Sequence, residues 1–321
     1  MAAIEAADLR RTYRTHTGTF RRRAKEIEAV RGIDFHVAEG DLFGLLGPNG
    51  AGKTTTIKML ITLLIPTAGS ARVLGLDVVR DALAVRRRIG YVFGGERGVY
   101  ERLSGYDNLR YFAELYGVPA REQRKRIEGL LELVGLKGRE HERAEGYSRG
   151  MKQRLHVARG LLHDPEVIFL DEPTIGLDPV GARDVRATIA SLTEAGKTVL
   201  LTTHYMFEAD ALCDRIAVIS RGEIVAEGTP AQLKAGVAEG TVVEVEVFGG
   251  AEEALTRVRA LDGVSSATVE ERGQAQVLVV QTGPGLELTH AILGCLDGAD
   301  VGRVSQREPT LEDAYVALVS E

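Results

Sequence analysis

Cysteine is scarce in this chain. Only Cys213 and Cys295 occur among its 321 residues, far apart and without metal-ligand spacing. That pattern excludes a disulfide framework and suits a reducing compartment. Long apolar runs are missing too. The longest, such as Met59 to Ile65, fall well short of the ~20 residues that a membrane-crossing helix needs. Met1 to Asp8 lacks the apolar core of a secretory signal. A membrane role is therefore expected only through a partner. There is no excess of basic charge either. The formal net charge is −6, which gives no footing for broad nucleic-acid binding. What remains is an ordinary globular composition, 44% hydrophobic and 27% charged, in a length that predicts two domains.

The most informative stretch is Gly47-Pro48-Asn49-Gly50-Ala51-Gly52-Lys53-Thr54. It fits the phosphate-loop pattern G-x-x-x-x-G-K-[ST] at every fixed position. Small residues let the backbone wrap so that its N–H groups face a phosphate. Lys53 has the reach for β- and γ-phosphates, and the Thr54 hydroxyl suits Mg²⁺. The context agrees. Asp41 to Leu46 reads as a buried strand, and Thr54 to Leu64 as a helix whose positive end meets the phosphates.

Around this loop the chain reads as alternating short elements. Leu9 to Tyr13 is expected to start the fold as an edge strand, with Tyr13 half-buried. Thr15 to Lys25, which holds Arg21-Arg22-Arg23, reads as a solvated excursion. Ile27 to Val37 alternates like a hairpin. Ala71 to Leu74 and Ile89 to Phe93 read as strands on either side of a charged helical turn, Ala82 to Arg88. Gly94 to Gly98 reads as a flexible loop. Ser104 to Gly138 is helical, with Leu109, Phe112, Ala113 and Tyr116, then Ile127, Leu130, Leu131 and Val134, at core spacing. Ser148 is placed to cap a helix over Gln153 to Leu162, a kind of helix start that can also hold a phosphate.

Val167-Ile168-Phe169-Leu170-Asp171-Glu172 is a buried strand that ends in two carboxylates. Open α/β sheets carry their chemistry at strand carboxyl ends. Asp171 suits Mg²⁺ coordination, and Glu172 suits polarisation of an attacking water. The plainer alternative is a pair of acids that cap the next helix. Gly176 to Pro179 turns into another helix. Thr198 to Thr203 is a further buried strand, and His204 at its end stands in the same topological position as Glu172. That position favours a γ-phosphate contact.

In this order, Gly47–Thr54, Tyr147–Gln153, Val167–Thr174, Gly176–Asp178 and His204 resemble the nucleotide-binding subunit of ABC transporters, from about Leu9 to about Lys234. Tyr-Ser-x-Gly-Met-x-Gln-Arg, with a short C-terminal domain, is similar to the ABC-2 export group of the daunorubicin/doxorubicin-resistance type. The resemblance implies an α/β fold: an ABC-type P-loop ATPase domain over 1–234, with a helical subdomain at about 96–160, and an accessory domain over 235–321. It implies ATP and Mg²⁺ as cofactors. Gly47, Pro48, Asn49, Gly50, Ala51, Gly52, Lys53, Thr54 and Thr55 would surround the phosphates, with the metal on Thr54 and Asp171. Tyr13 would stack on adenine, and Glu172 and His204 would be catalytic. Ser148 and Gly150 would hold the γ-phosphate of ATP bound to the opposite subunit of a homodimer, which Asp178 would help align. The family also implies a separately encoded integral membrane permease, and so a place on the cytoplasmic face of the membrane.

Two departures from the family pattern stand out. Arg149 and Met151 replace the third and fifth residues of Leu-Ser-Gly-Gly-Gln. Gly94 stands where a glutamine normally follows Ile89-Gly90-Tyr91-Val92-Phe93, and that glutamine ordinarily touches Mg²⁺ and the membrane partner. Glu96 is the nearest acid that could reach in, against the plainer reading that it pairs with Arg97 or faces solvent, and two adjacent glycines predict a looser loop. The segment Glu96 to Tyr106, with Tyr100 and Leu103, is the expected socket for the membrane partner.

Beyond Lys234, Val243, Val245 and Val247 alternate with Glu244 and Glu246 as a strand. A helical face at Ala254, Leu255, Val258 and Leu261 follows, then a strand at Gln276 to Gln281. A second helical face takes in Leu288, Ile292, Leu293 and Leu296, and Val301 to Val304 is a last strand. The β-α-β-β-α-β order predicts a small ferredoxin-like α+β module. A final helix spans Thr310 to Val319, with Thr310 and Asp313 at capping-box spacing. The expected function is an ATPase that powers export of a drug-like, lipid or other hydrophobic compound. The alternative is a soluble ABC ATPase with a regulatory role, a class that usually carries two such domains or a long coiled coil. No Asn-Lys-x-Asp segment for guanine reading occurs, and no nucleic-acid partner is expected.

Overall fold

The structure, a computed structural model, describes residues 2–17, 23–94, 98–237, 240–272, 275–283, 286–296 and 299–320. The chain divides into two units, Met1–Glu227 and Gly228–Glu321. The first opens with a long antiparallel pair, β1 (Ala2–Thr17) and β2 (Arg23–Ala38). Next, β3 (Leu42–Leu46) runs through the glycine-rich loop into α1 (Lys53–Leu60). Then come β4 (Ala68–Val73), β5 (Leu76–Asp77), α2 (Ala82–Arg88) and β6 (Ile89–Phe93). A helical section follows: α3 (Gly105–Leu115), α4 (Ala120–Leu133), one 3₁₀ turn (Ala144–Gly146) and α5 (Arg149–Gly160). The unit closes with β7 (Val167–Asp171), α6 (Pro179–Glu194), β8 (Thr198–Thr203), α7 (Met206–Leu212), β9 (Arg215–Ser220) and β10 (Glu223–Gly228).

These strands make two sheets, ordered β2-β1-β4-β5 and β10-β9-β3-β8-β7-β6. In the second, β9, β3, β8, β7 and β6 run parallel. Every residue of β3, β7 and β8 is buried. That accounts for their unbroken apolar runs, since a parallel strand is covered on both faces. Ile4, Leu9, Ile33 and Phe35 of the first sheet share one core with Phe43, Leu45, Phe169 and Leu200 of the second and Ile57 and Leu60 of α1.

Several expectations are corrected. Leu9 to Tyr13 does not open the fold as an edge strand. It lies inside β1, which pairs with β2 on one side and, as far as Arg10, with β4 on the other. Thr15–Thr17 and Arg23–Lys25 belong to strands rather than to an excursion, and Arg21 and Arg22 lie outside the described residues. α1 stops at Leu60, short of Leu64, because Thr62 takes a left-handed backbone with φ 68°. The N–H groups of Leu63 and Leu64 then both turn back to the Lys58 carbonyl.

The second unit begins with α8 (Pro230–Val237) and β11 (Val242–Phe248). It continues through α9 (Ala251–Arg259), β12 (Val264–Arg272), β13 (Ala275–Thr282), α10 (Thr289–Gly294), β14 (Asp300–Arg307) and α11 (Leu311–Ser320). Strand β12 is an element that hydropathy had not singled out. The sheet order is β12-β13-β11-β14, antiparallel throughout. Val243, Val245, Leu278 and Val280 on one face pack with Ala254 and Val258 of α9 and with Ile292 of α10. α11 packs on α8, and its start is a reciprocal cap. Thr310 N donates to Asp313 Oδ2 at 2.7 Å, and Asp313 N donates to Thr310 Oγ1 at 3.3 Å. Arg307 clamps the same carboxylate and Glu244.

Candidate functional site

The carboxyl ends of β3, β8 and β7 lie side by side. Leu46 is level with Thr203, and Asp171 is level with Thr202. The glycine-rich loop, the two acids and His204 all leave the sheet there, where open parallel sheets bind ligands. The loop is held by Ala51 N donating to Pro48 O at 3.1 Å and Gly222 N donating to Ala51 O at 3.0 Å. Gly52 has φ 114°, and a Cβ there would sit 2.6 Å from the Ala29 carbonyl, so the position admits only glycine. Asn49 and Gly50 are exposed, Pro48 and Thr55 half-buried, and Gly47 and Ala51 buried. Lys53 begins α1 and is 4% exposed. Its Nζ donates to the carbonyls of Gly47 at 2.6 Å and Pro48 at 3.2 Å. Burial pushes the Lys53 pKa down, while Glu172 and Asp171 pull it back up.

The two acids differ in surroundings. Asp171 Oδ1 accepts hydrogen bonds from Thr202 Oγ1 at 2.6 Å and from Thr54 Oγ1 at 3.4 Å. A hydroxyl and a carboxylate this close are hard oxygen donors of the type Mg²⁺ takes, with positions left for phosphate oxygens and water. Glu172 has φ 50°, a left-handed backbone that non-glycine residues rarely adopt. Its N–H donates to Thr202 O at 3.0 Å and Thr202 Oγ1 at 3.1 Å. Its carboxylate reaches two partners, with Oε1 at 3.9 Å from Lys53 Nζ and Oε2 at 3.2 Å from His204 Nδ1. Thr202 thus braces both acids. Sequence reading passed over it, although a threonine pair just before His204 was the available signal.

Gly94 is a tight position rather than a loose one. Its N–H donates to Asp171 O at 2.7 Å. A Cβ on residue 94 would lie 2.2 Å from the Glu172 carbonyl oxygen and 2.7 Å from Ile175 Cγ2. The backbone after β7 therefore occupies the space that any side chain at 94 would need. Glu96, Gly95 and Arg97 lie outside the described residues. Gln153 of α5 reaches the end of β6, with Nε2 donating to Phe93 O at 3.3 Å.

The remaining sequence-derived residues sit on two other elements. Ser148 caps α5, its hydroxyl accepting from Met151 N at 3.2 Å. Asp178 caps α6 in the same way, accepting from Gly181 N at 2.6 Å. The two helix starts touch, because a Cβ on Gly150 would lie 3.2 Å from Gly181 Cα. Among the described residues, no hydrogen bond or ion pair links Ser148 to Lys53, Glu172 or His204 of the same chain. Tyr13 pairs with Ile27 on β2, two residues before Ala29, the residue in contact with Gly52. The Arg11 guanidinium lies 4.9 Å from the Tyr13 ring centre.

Comparison with known proteins agrees with this geometry. The profile of the ABC transporter family matches residues 30–175. The daunorubicin resistance ATP-binding protein DrrA3 of Streptomyces coeruleorubidus is 40% identical over 296 residues, 92% of this chain and 92% of that protein. The linearmycin resistance ATP-binding protein LnrL of Bacillus subtilis is 39% identical over 75% of this chain and 78% of that protein. Among solved structures, cbiO1 of Clostridium perfringens, part of the ABC transporter complex cbiONQ, superposes with a TM-score of 0.64. It is 26% identical over 73% of this chain and 91% of its own. A dimeric ATP-binding cassette in a post-hydrolysis state with ADP and phosphate superposes with a TM-score of 0.61. There the identity is 25% over 70% of this chain and 98% of that one. The chain belongs to the ABC transporter family of ATP-binding proteins and is an ATPase.

Proposed function

We propose that this chain is the ATP-hydrolysing subunit of an exporter, driving efflux of a drug-like, lipid or other hydrophobic compound through a separate membrane subunit. The observation that carries the reading is the meeting of Lys53, Asp171, Glu172 and His204 at adjacent strand ends. In this reading the loop N–H groups and Lys53 bind the phosphates, and Tyr13 stacks on the adenine. Thr54 and Asp171 would hold Mg²⁺, which when bound would offset phosphate charge. Glu172 takes the proton of the attacking water, and His204 holds Glu172 and faces the γ-phosphate.

Ser148 and Gly150 have no partner at their own chain's Lys53, which supports a head-to-tail homodimer with ATP shared across it. Asp178, in contact with the same helix start, lies at that seam. The order and pairing of the second unit's strands support a ferredoxin-like accessory domain after the ATP-binding domain. The membrane partner docks on the aromatic surface of Tyr100 and Tyr111, 48% and 43% exposed, beside Leu103. That surface is tied to α5 by Arg159 donating to Gly98 O at 2.8 Å and Lys152 to Glu101 at 2.6 Å. Attachment there would hold the chain at the cytoplasmic face of the membrane.

The test is reconstitution with a membrane subunit found in a neighbouring reading frame. Transport should require ATP and fail for Tyr100→Ala with Leu103→Ala, while basal hydrolysis persists. If that double variant transports normally, the docking surface is wrong. If no membrane subunit assembles with the chain, the regulatory alternative takes its place.

A further inference from the structure

Glu208, on α7, carries a carboxylate into the interior with 1% of its surface exposed. Its Oε2 accepts hydrogen bonds from Thr174 Oγ1 at 2.8 Å and Thr203 Oγ1 at 3.0 Å, and its Oε1 accepts from Arg186 Nη1 at 3.0 Å. A buried charge needs such partners, and hydrogen bonds to an ionised acceptor are the strong ones. The donors come from three separate places. Thr174 lies two residues beyond Glu172, and Thr203 immediately precedes His204. Arg186 is on α6, the helix capped by Asp178. Thr203 Oγ1 also accepts the Tyr205 N–H at 3.0 Å, so the backbone is pinned on both sides of His204.

Glu172 has need of this support. A non-glycine residue at φ 50° persists only where its surroundings over-determine it. Thr202 fixes its N–H, and the Glu208–Thr174 bond fixes the chain that leaves it. Among the described residues, Glu208 makes no hydrogen bond or ion pair with the glycine-rich loop, so its influence on chemistry runs through the two segments it joins.

We propose that Glu208 is a positioning residue for ATP hydrolysis: it sets the spacing of the segments that carry Glu172 and His204, and so preforms their 3.2 Å approach. The proposal rests on the reading of those two residues as the catalytic pair. It also places the seam residue Asp178 in the same network through Arg186, since α6 carries both.

The test compares full-length Glu208→Gln with Glu172→Gln for ATP turnover and for binding of a fluorescent ATP analogue. Glutamine keeps the size but removes the charge that Arg186 needs. Glu208→Gln should lower kcat about tenfold while KM and nucleotide affinity stay within about twofold, the mark of a lost transition-state arrangement. Thr174→Val with Thr203→Val, which leaves the Arg186 pair intact, should give a similar fall. Combined with Glu208→Gln, the losses should be less than multiplicative. Parental kcat in Glu208→Gln beside an inactive Glu172→Gln overturns the proposal, as does a fall in affinity equal to the fall in kcat. Should Glu208→Gln not fold, the threonine pair decides, and parental kcat there overturns it. Parental turnover in Glu172→Gln would instead remove the base assignment on which the proposal stands.

Discussion

Glu172 Oε2 lies 3.2 Å from His204 Nδ1, while the other oxygen of the same carboxylate lies 3.9 Å from Lys53 Nζ. One side chain thus links the ends of β7 and β8 to the glycine-rich loop. The carboxylate is aimed by a histidine on one oxygen and shares the field of the Lys53 ammonium on the other. A side chain held from two directions loses little freedom when a ligand arrives, and pre-organisation of this kind is how sites lower barriers.

His204→Ala removes one of these two holds and leaves the loop untouched. Turnover should fall about 10²-fold, within the range for acid–base partners, while ATP affinity stays within a few-fold. Steady-state hydrolysis beside equilibrium nucleotide binding checks this. A proportional fall in both would place His204 in binding alone.

Gly94→Ala should be costly despite its small size. The new Cβ would lie 2.2 Å from the Glu172 carbonyl oxygen, so the backbone around the base must move. Overpacking of this kind costs about 1–3 kcal/mol, which thermal unfolding reads directly. Turnover should fall with it. Gly94→Gln should behave no better, because it brings the same Cβ. An unchanged melting temperature and kcat in Gly94→Ala would mean that the strand end relaxes freely.

Much of the site was legible before any coordinates, and the reasons are local. Asp171, Glu172 and His204 sit at ends of apolar runs, Lys53 and Thr54 lie in the glycine-rich loop that follows another, and a buried parallel strand announces itself by composition. The caps at Ser148 and Thr310 were legible locally too, each a short polar side chain before a helix. The role of Gly94 was not. Two glycines suggest freedom, but the constraint on Gly94 comes from the Glu172 carbonyl, a residue far away in sequence. Glu208 was equally silent, since Thr174 and Arg186 reach it only after α6, β8 and α7 are packed. The start of the fold was misplaced because β1 gains its second neighbour, β4, from beyond the glycine-rich loop.

His156 should make the first unit sensitive to acid. It is 1% exposed on α5, its ring meets Phe93 edge-on at 5.7 Å, and among the described residues neither ring nitrogen has a hydrogen-bond partner. Burial, with a smaller push from Arg159, lowers its pKa from 6.5 to about 4. Between those values the unfolded chain binds a proton that the folded chain refuses. Stability therefore rises with pH across this window and falls as pH drops through it. The loss attributable to His156 is about 3 kcal/mol once pH is below the folded value. Unfolding midpoints of the parent and of His156→Phe, measured from pH 7 to pH 4, should diverge by this order. Parallel curves would mean that His156 takes up its proton in the folded state at its ordinary pKa.

The most direct measurement is single-turnover hydrolysis by Glu172→Gln beside ATP binding by the same protein. Glutamine preserves the shape and leaves Lys53, Thr54 and Asp171 in place, but it cannot take a proton from water. Binding should stay within a few-fold of the parent, and hydrolysis should fall about 10²-fold or more. Hydrolysis at the parental rate, with binding intact, would contradict the assignment of Glu172 as the base at the end of β7.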